Sequence, residues 1–298
     1  MKAYLDNAAT TKLSAAARQA MEPYYDGIYG NPSSLHSWGQ AASAALRGAR
    51  ERVAACLGAD PEEIYFTSGG SEADNQAILS AAMRGAETGR KHIVSTAIEH
   101  HAVLHMLAAL EKDGFEVTLL PVEAGTGLVS PAALEAALRD DTTLVTVMAA
   151  NNEIGTVQPV EEIGAICRER KIPFHSDAVQ AAGHIPVNVR EMNVDMLSLS
   201  GHKFHGPKGV GALYCRQGVP LRAMLLGGAQ ERNRRAGTEN IPGILGMAAA
   251  LEEAVAELPT LCLRIRDYRD QLIEGLGKIE RSHLNGDRVK RLPGNVHF

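Results

Sequence analysis

Lys203 is the side chain whose setting most demands a chemical explanation. It lies in Ser200-Gly-His-Lys-Phe-His-Gly-Pro-Lys-Gly209, directly after the apolar run Val194-Asp-Met-Leu-Ser198. A loop lysine taken singly is usually solvated, but one desolvated in a cramped Gly/His/Pro turn becomes a nucleophile toward a carbonyl. Lys208 competes for that role from further into the loop. Asp177 leaves the apolar run Pro173-Phe-His-Ser176. A carboxylate there needs a cation or several donors, and either a ligand cation or a structural arginine would serve. His100 follows another strand-like run, where an imidazole can stack on a planar ligand or move protons. His101 and His105 have the i, i+4 spacing of a metal pair. No third ligand accompanies them, so two solvated helix residues are the plainer account.

Thr67-Ser-Gly-Gly-Ser-Glu-Ala-Asp-Asn75 supplies small residues and a hydroxyl at the start of a helix, where free N–H groups favour a phosphate. Ser71-x-x-Asp74 reads as a capping box, and an ordinary capped helix would use the same letters. The segment matches neither G-x-x-x-x-G-K-[ST] nor G-x-G-x-x-G, which argues against nucleoside triphosphates and dinucleotides. In Ala150-Asn-Asn-Glu-Ile-Gly155, loop capping accounts for one asparagine and leaves the other for a ligand.

These residues must be positioned by the elements that precede them. Strand-like runs fall at Glu63–Thr67, His92–Ser95, Glu116–Leu120, Thr143–Met148, Pro173–Ser176, Val194–Ser198 and Val210–Tyr214. Helical periodicity covers Gly39–Leu57, Ala73–Met83, Ala102–Lys112, Pro131–Leu138 and Val160–Arg170, and returns at Ile244–Glu257 and Leu261–Leu276 with Pro259 as a junction. Alternation of this kind predicts an α/β fold with a mostly parallel sheet covered on both faces. In such sheets ligands bind beyond the carboxyl ends of the strands, where the residues above fall.

Composition excludes several classes. The 298 residues carry 30 Lys+Arg against 35 Asp+Glu, a net charge of −5, and are 45% hydrophobic. That is too apolar for disorder and too balanced for a nucleic-acid coat or a polybasic membrane binder. No apolar run reaches the ~18 residues of a membrane span, and the first residues lack a signal-peptide core, so a cytoplasmic location is expected. Cys56, Cys167, Cys215 and Cys262 are too scattered for a metal site and read as buried thiols acting as small hydrophobes.

A phosphate cradle, a stacking histidine, an aspartate for a ring nitrogen and a lysine for an aldehyde are together the needs of pyridoxal phosphate. At this point the chain resembles the cysteine desulfurases of the class V aminotransferase family, with a fold-type I architecture. The resemblance rests on Tyr4-Leu-Asp-Asn-Ala-Ala-Thr-Thr11, Gly30-Asn-Pro-Ser-Ser-Leu-His36, Thr67–Asn75, Asn151-Asn-Glu-Ile-Gly155, His175-Ser-Asp-Ala-Val-Gln180, Ser200–Gly209 and Arg235-Ala-Gly-Thr-Glu-Asn240. It implies a seven-stranded sheet with one antiparallel strand. It also implies that Lys203 holds the cofactor covalently, that His100 stacks on its ring, and that these two carry the catalysis. Asp177 would pair with the ring nitrogen, Asn152 and Gln180 would bond the ring hydroxyl, and Gly70, Ser71, Ser200 and His202 would hold the phosphate. Thr238 would reach the phosphate of a partner subunit, making a homodimer part of the site.

The implied reaction takes sulfur from L-cysteine, leaving alanine and an enzyme persulfide. The sulfur then passes to an iron–sulfur scaffold or another acceptor protein, or into tRNA thiolation. The resemblance also implies an organisation of residues 1–14 as an arm, 15–258 as the cofactor domain and 259–298 as the beginning of a small domain. In that reading the sulfur-accepting cysteine lies downstream of Leu292–Phe298, outside a truncated chain. A selenocysteine lyase, a class V aminotransferase and a non-catalytic cofactor-binding scaffold are the alternatives.

Overall fold

Alternate side chains on each strand feed two separate cores, one on each face of a single sheet. The computed structural model describes residues 2–298. The strands are β1 Ile64–Thr67, β2 His92–Thr96, β3 Glu116–Leu120, β4 Thr142–Thr146, β5 Phe174–Asp177, β6 Met196–Ser200 and β7 Gly211–Cys215. Their order is β1-β7-β6-β5-β4-β2-β3, and only β7 runs against its neighbours. The architecture expected from the residues is the one observed, with strand limits moved by one or two residues.

The helical segments are α1 Ala15–Met21, α2 Pro23–Asp26, α3 Ser37–Leu57, α4 Gly70–Ala86, α5 His101–Lys112, α6 Pro131–Ala137, α7 Val160–Glu169, α8 Gln230–Asn233, a single turn with non-helical dihedrals at Glu231 and Arg232, and α9 Ile241–Leu276. Ile93, Leu144, Met196 and Leu213 face α4 and α5, where they meet Ala73, Ala77, Ile78, Val103 and Leu107. Val94, Val145, Phe174, Leu197 and Tyr214 face the other way, into a core shared with α3, α7 and α9. Each fully buried Leu, Ile or Phe contributes roughly 1.5–3 kcal/mol. α4 offers mainly alanines to the sheet and so lies close to it: a Cβ at Gly85 would overlap the Thr143 hydroxyl. Any larger residue there would push the helix off the sheet.

Two local expectations are corrected. Pro259 does not separate two helices, because α9 runs unbroken for 36 residues with the proline inside it. α9 is buried from Gly243 to Leu251, but Ala256, Glu257, Pro259 and Thr260 are exposed, so the turn that carries the unpaired Val255 carbonyl is partly open to solvent. The capping box at Ser71-x-x-Asp74 is also absent. α4 begins earlier, with Gly69 as N-cap, and the Glu72 carboxylate reaches back to accept from Ser68 N–H at 2.9 Å. Asp74 turns inward instead and is 1% exposed. Among the described residues no helix is long and apolar enough to cross a membrane.

Candidate active site

Apart from the reversed β7, the strands point the same way, so the ends of β1, β2, β4, β5 and β6 share one edge of the sheet. Beyond that edge lies a cavity of about 1650 Å³. Its walls include Gly70, Ser71, His100, Asn152, Asp177, Gln180, Ser200, His202 and Lys203. Nine of the ten site residues expected from the sequence are thus brought together from loops spread over 130 residues. Thr238 is not among them: it is exposed, on the loop before α9, and does not border the cavity of its own chain.

At one end of the cavity α4 presents its first N–H groups. A Cβ at Gly70 would meet Val179 Cγ2 at 2.6 Å, so only glycine lets the helix start approach the loop after β5 this closely. Val179 N–H in turn donates to Asp177 Oδ1 at 2.9 Å, tying the cradle to the carboxylate. Asp177 is 5% exposed. Burial pushes its pKa above the ordinary carboxylate value, while that N–H, His100 and Lys203 oppose the shift. A buried carboxylate with this little compensation is a ready partner for a ligand cation.

Lys203 follows β6 at the end of a 3-10 turn, half-buried. Its Nζ donates to the carbonyls of Ala8 and Ala9 at 2.6 and 2.9 Å. Burial lowers its pKa, against the opposing charges of Asp177 and Asp6. The Ala8 carbonyl also accepts from Gln180 Nε2 at 2.9 Å. The segment before α1 is itself strapped to the lysine loop, with Thr11 N–H donating to the His202 carbonyl at 3.0 Å and Ser14 N–H to that of His205 at 2.9 Å. His202 Nδ1 lies 3.1 Å from Thr10 Oγ1. Lys208 borders the same cavity but is exposed.

The paired asparagines divide their work. Asn151 is structural: its Nδ2 donates to the Ile98 carbonyl and its Oδ1 accepts from Glu153 and Ile154 N–H, all at 2.9 Å. Asn152 borders the cavity. His100 caps α5, its Nδ1 accepting from Ala102 N–H at 3.1 Å. His101 and His105 stack 5.0 Å apart on the exposed face of α5. Among the described residues, the side chains that do converge as a metal cluster would are Asp74, His100 and Asp177, with ligand atoms within 4.8 Å of one another.

The cysteines are less uniform than their spacing suggested. Cys167 and Cys215 are buried, and burial pushes both thiols up to about 12. Cys56 is half-buried and raised to about 11. Cys262 is also half-buried rather than core, and it borders the cavity from α9. Its thiol donates to the His184 carbonyl at 3.2 Å, and burial raises its pKa, so it stands as a neutral thiol rather than a thiolate.

Residues 3–298 match the family model for aminotransferase class-V. The chain belongs to that family. It is 54% identical over 294 residues to "Cysteine desulfurase IscS" of Methanosarcina thermophila, covering 99% of this chain and 72% of the relative. To the protein of the same name from Dictyoglomus turgidum it is 50% identical over 296 residues, covering 99% and 75%. Among solved structures, a "NifS-like protein" superposes with a TM-score of 0.95 at 42% identity, covering 98% of this chain and 80% of that one. "SspA in complex with cysteine" follows with a TM-score of 0.84 at 40% identity, covering 92% and 78%.

Class-V aminotransferases and their desulfurase members depend on pyridoxal phosphate, and the residues here fit that group. The cavity has an N–H-rich, hydroxyl-bearing end for an anion, a buried carboxylate for a protonated ring nitrogen and a half-desolvated amine for an aldehyde. The sequence reading missed the carbonyls of Ala8 and Ala9, the buried carboxyls of Asp74 and Glu99, and the place of Cys262. A backbone carbonyl has no letter of its own. Asp74 was hidden inside a helix-capping pattern.

Proposed function

We propose that this chain is a pyridoxal phosphate-dependent cysteine desulfurase, taking sulfur from L-cysteine and leaving L-alanine. The observation that carries this reading is the placement of Lys203 Nζ and the Asp177 carboxylate on the walls of one cavity whose end is the start of α4. When bound, the cofactor supplies an electron-accepting ring that lets bonds at the amino-acid α-carbon break. Lys203 would hold it and, once freed by the substrate amine, take and return the proton on the substrate Cα. A half-desolvated amine with a lowered pKa suits that exchange at neutral pH. Asp177 would keep the ring nitrogen protonated, Asn152 and Gln180 would bond the ring hydroxyl, and His100 would cover the ring face. Gly70, Ser71, Ser200 and His202 would hold the phosphate. Names and similarity of the relatives support the substrate and the onward transfer of sulfur to an acceptor protein such as an iron–sulfur scaffold; a cytoplasmic setting is part of the same proposal.

The reading includes a homodimer in which Thr238 reaches the partner's phosphate. Supporting it, Thr238 is exposed and stands outside the cavity of its own chain, on a segment anchored upstream at Glu231. Buried Glu231 accepts two bonds from Arg50, at 2.7 and 2.9 Å, and one from Phe66 N–H at 2.9 Å. Glu231, Arg232 and Asn233 are three successive non-glycine residues at positive φ, a strained arrangement that these bonds maintain.

The test is Lys203→Ala beside Lys208→Ala. The first should lose the covalent adduct fixed by borohydride and the visible absorption of bound cofactor. The second should keep the adduct, which mass spectrometry would place on Lys203. An adduct on Lys208 would overturn the assignment.

A further inference from the structure

Three carboxyls crowd the buried side of the cavity: Asp74 from α4, Glu99 from the loop after β2, and Asp177 from β5. They are 1%, 6% and 5% exposed. Asp74 and Asp177, together with His100, bring side-chain atoms within 4.8 Å of one another. Two buried carboxylates so close repel one another, which favours a proton on one of them.

The donors around each decide where that proton resides. Asp177 has the Val179 N–H and faces His100 and Lys203. Asp74 Oδ1 has no hydrogen-bond partner although it is fully buried. His175 Nε2 lies 3.6 Å away and brings no charge. That ring is 0% exposed, and burial lowers its pKa to about 3. Its two nitrogens lie 2.8 Å from Thr146 Oγ1 and 2.9 Å from Ser198 Oγ, which occupies both with neutral hydroxyls. Asp74 is left with the Ser198 hydroxyl as its one favourable contact for the charged form, against the repulsion of Asp177 and Glu99.

We propose that Asp74 is a positioning residue that stays protonated at neutral pH, so that the Asp74–Asp177 pair carries a single negative charge and that charge remains on Asp177. The proton inventory belongs to the chain itself. Its use, keeping one carboxylate directed at a cofactor ring nitrogen, rests on the desulfurase reading. The groups that face the pair are Glu99 and His100 from the loop after β2, His175 beside Asp177 on β5, and Lys203 after β6. A carboxyl whose folded pKa is raised stabilises the fold below the ordinary carboxylate range and loses that contribution as pH rises.

Cofactor-free protein provides the test, with wild type compared with Asp74→Asn. The variant should melt at the same temperature as wild type near pH 3.5, below the ordinary aspartate value, and higher than wild type near pH 8, since it removes the group that is costly to ionise. Infrared difference spectra at neutral pH should show a protonated-carboxyl band in wild type that the variant lacks. Affinity for pyridoxal phosphate should change by less than about threefold, because a neutral amide replaces a neutral acid. Absence of that band in wild type, or a loss of affinity of about tenfold or more in the variant, would overturn the proposal. If Asp74→Asn does not fold, carboxyl-carbon NMR of isotope-labelled wild type decides between one aspartate protonated in this pair and none. Failure of wild type to bind the cofactor would defeat the desulfurase reading, while the band would still decide the state of Asp74.

Discussion

The two walls of the cavity are built on different principles. The wall at the strand ends is polar, buried at Asp177, Gln180 and Ser200, and held by hydrogen bonds that cross-connect its loops: Val179 to Asp177, Gln180 and Lys203 to Ala8, Thr11 to His202. The opposite wall comes from the second half of α9 and the segment near Leu292, with Leu261, Ile265, Tyr268 and Leu272 as its apolar surface. Tyr268 and Leu272 are 59% and 56% exposed. On the first wall a change of one atom alters charge or a hydrogen bond. On the second it alters only contact area, with much of that area already in water. Chemistry is therefore committed on the sheet side, and the α9 side is left to shape.

Substitutions on the two walls should separate accordingly. Asp177→Ala should have the largest effect. Losing one member of a buried charge pair costs about 2–5 kcal/mol, a fall of at least ~30-fold in cofactor affinity measured by titration of absorbance or fluorescence. The cofactor-free variant should nonetheless melt no lower than wild type at neutral pH, since a buried carboxylate has been removed.

Glu99→Gln should be intermediate and pH-dependent. Burial raises the Glu99 pKa to about 8, and its Oε1 accepts from Thr96 Oγ1 at 2.7 Å and Met148 N–H at 3.0 Å. Glutamine keeps both acceptors. Because the folded pKa is raised, wild type loses stability as pH climbs from the ordinary glutamate value toward 8. The variant should match wild type near pH 4 and melt several degrees higher near pH 8.

Leu272→Ser should be smallest. A change at a half-exposed apolar position falls within about ±0.5 kcal/mol of stability, and cofactor affinity should not move. A large loss of affinity from Leu272→Ser would erase the distinction between the walls.

Much of this arrangement was legible in the residues, for a physical reason. Buried parallel strands need unbroken apolar runs, and a functional residue placed where such a run stops is visible as a break in pattern. Asp177 after Phe174-His-Ser and Lys203 after Met196-Leu-Ser-Leu-Ser are of this kind. What escaped was set by tertiary contact. Ser71-x-x-Asp74 obeys the grammar of a cap, yet Glu72 reaches back to Ser68 and leaves Asp74 for the interior. Pro259 obeys the grammar of a break, yet an exposed position lets the helix continue. Asn151 and Asn152 are identical in type, and only the fold assigns one to the turn and the other to the cavity.

The bonds from Lys203 to Ala8 and Ala9 join residues 195 and 194 positions apart. Contacts of such separation form late, because the loop they close carries the entropy of nearly everything between. During synthesis the carbonyls leave the ribosome early and wait for the lysine loop to be made. The cradle at α4 and the carboxylate on β5 can be in place before the amine finds its resting position. A nick between residue 9 and α1 should therefore leave the sheet folded and release the amine, separating maturation of the site from folding of the scaffold.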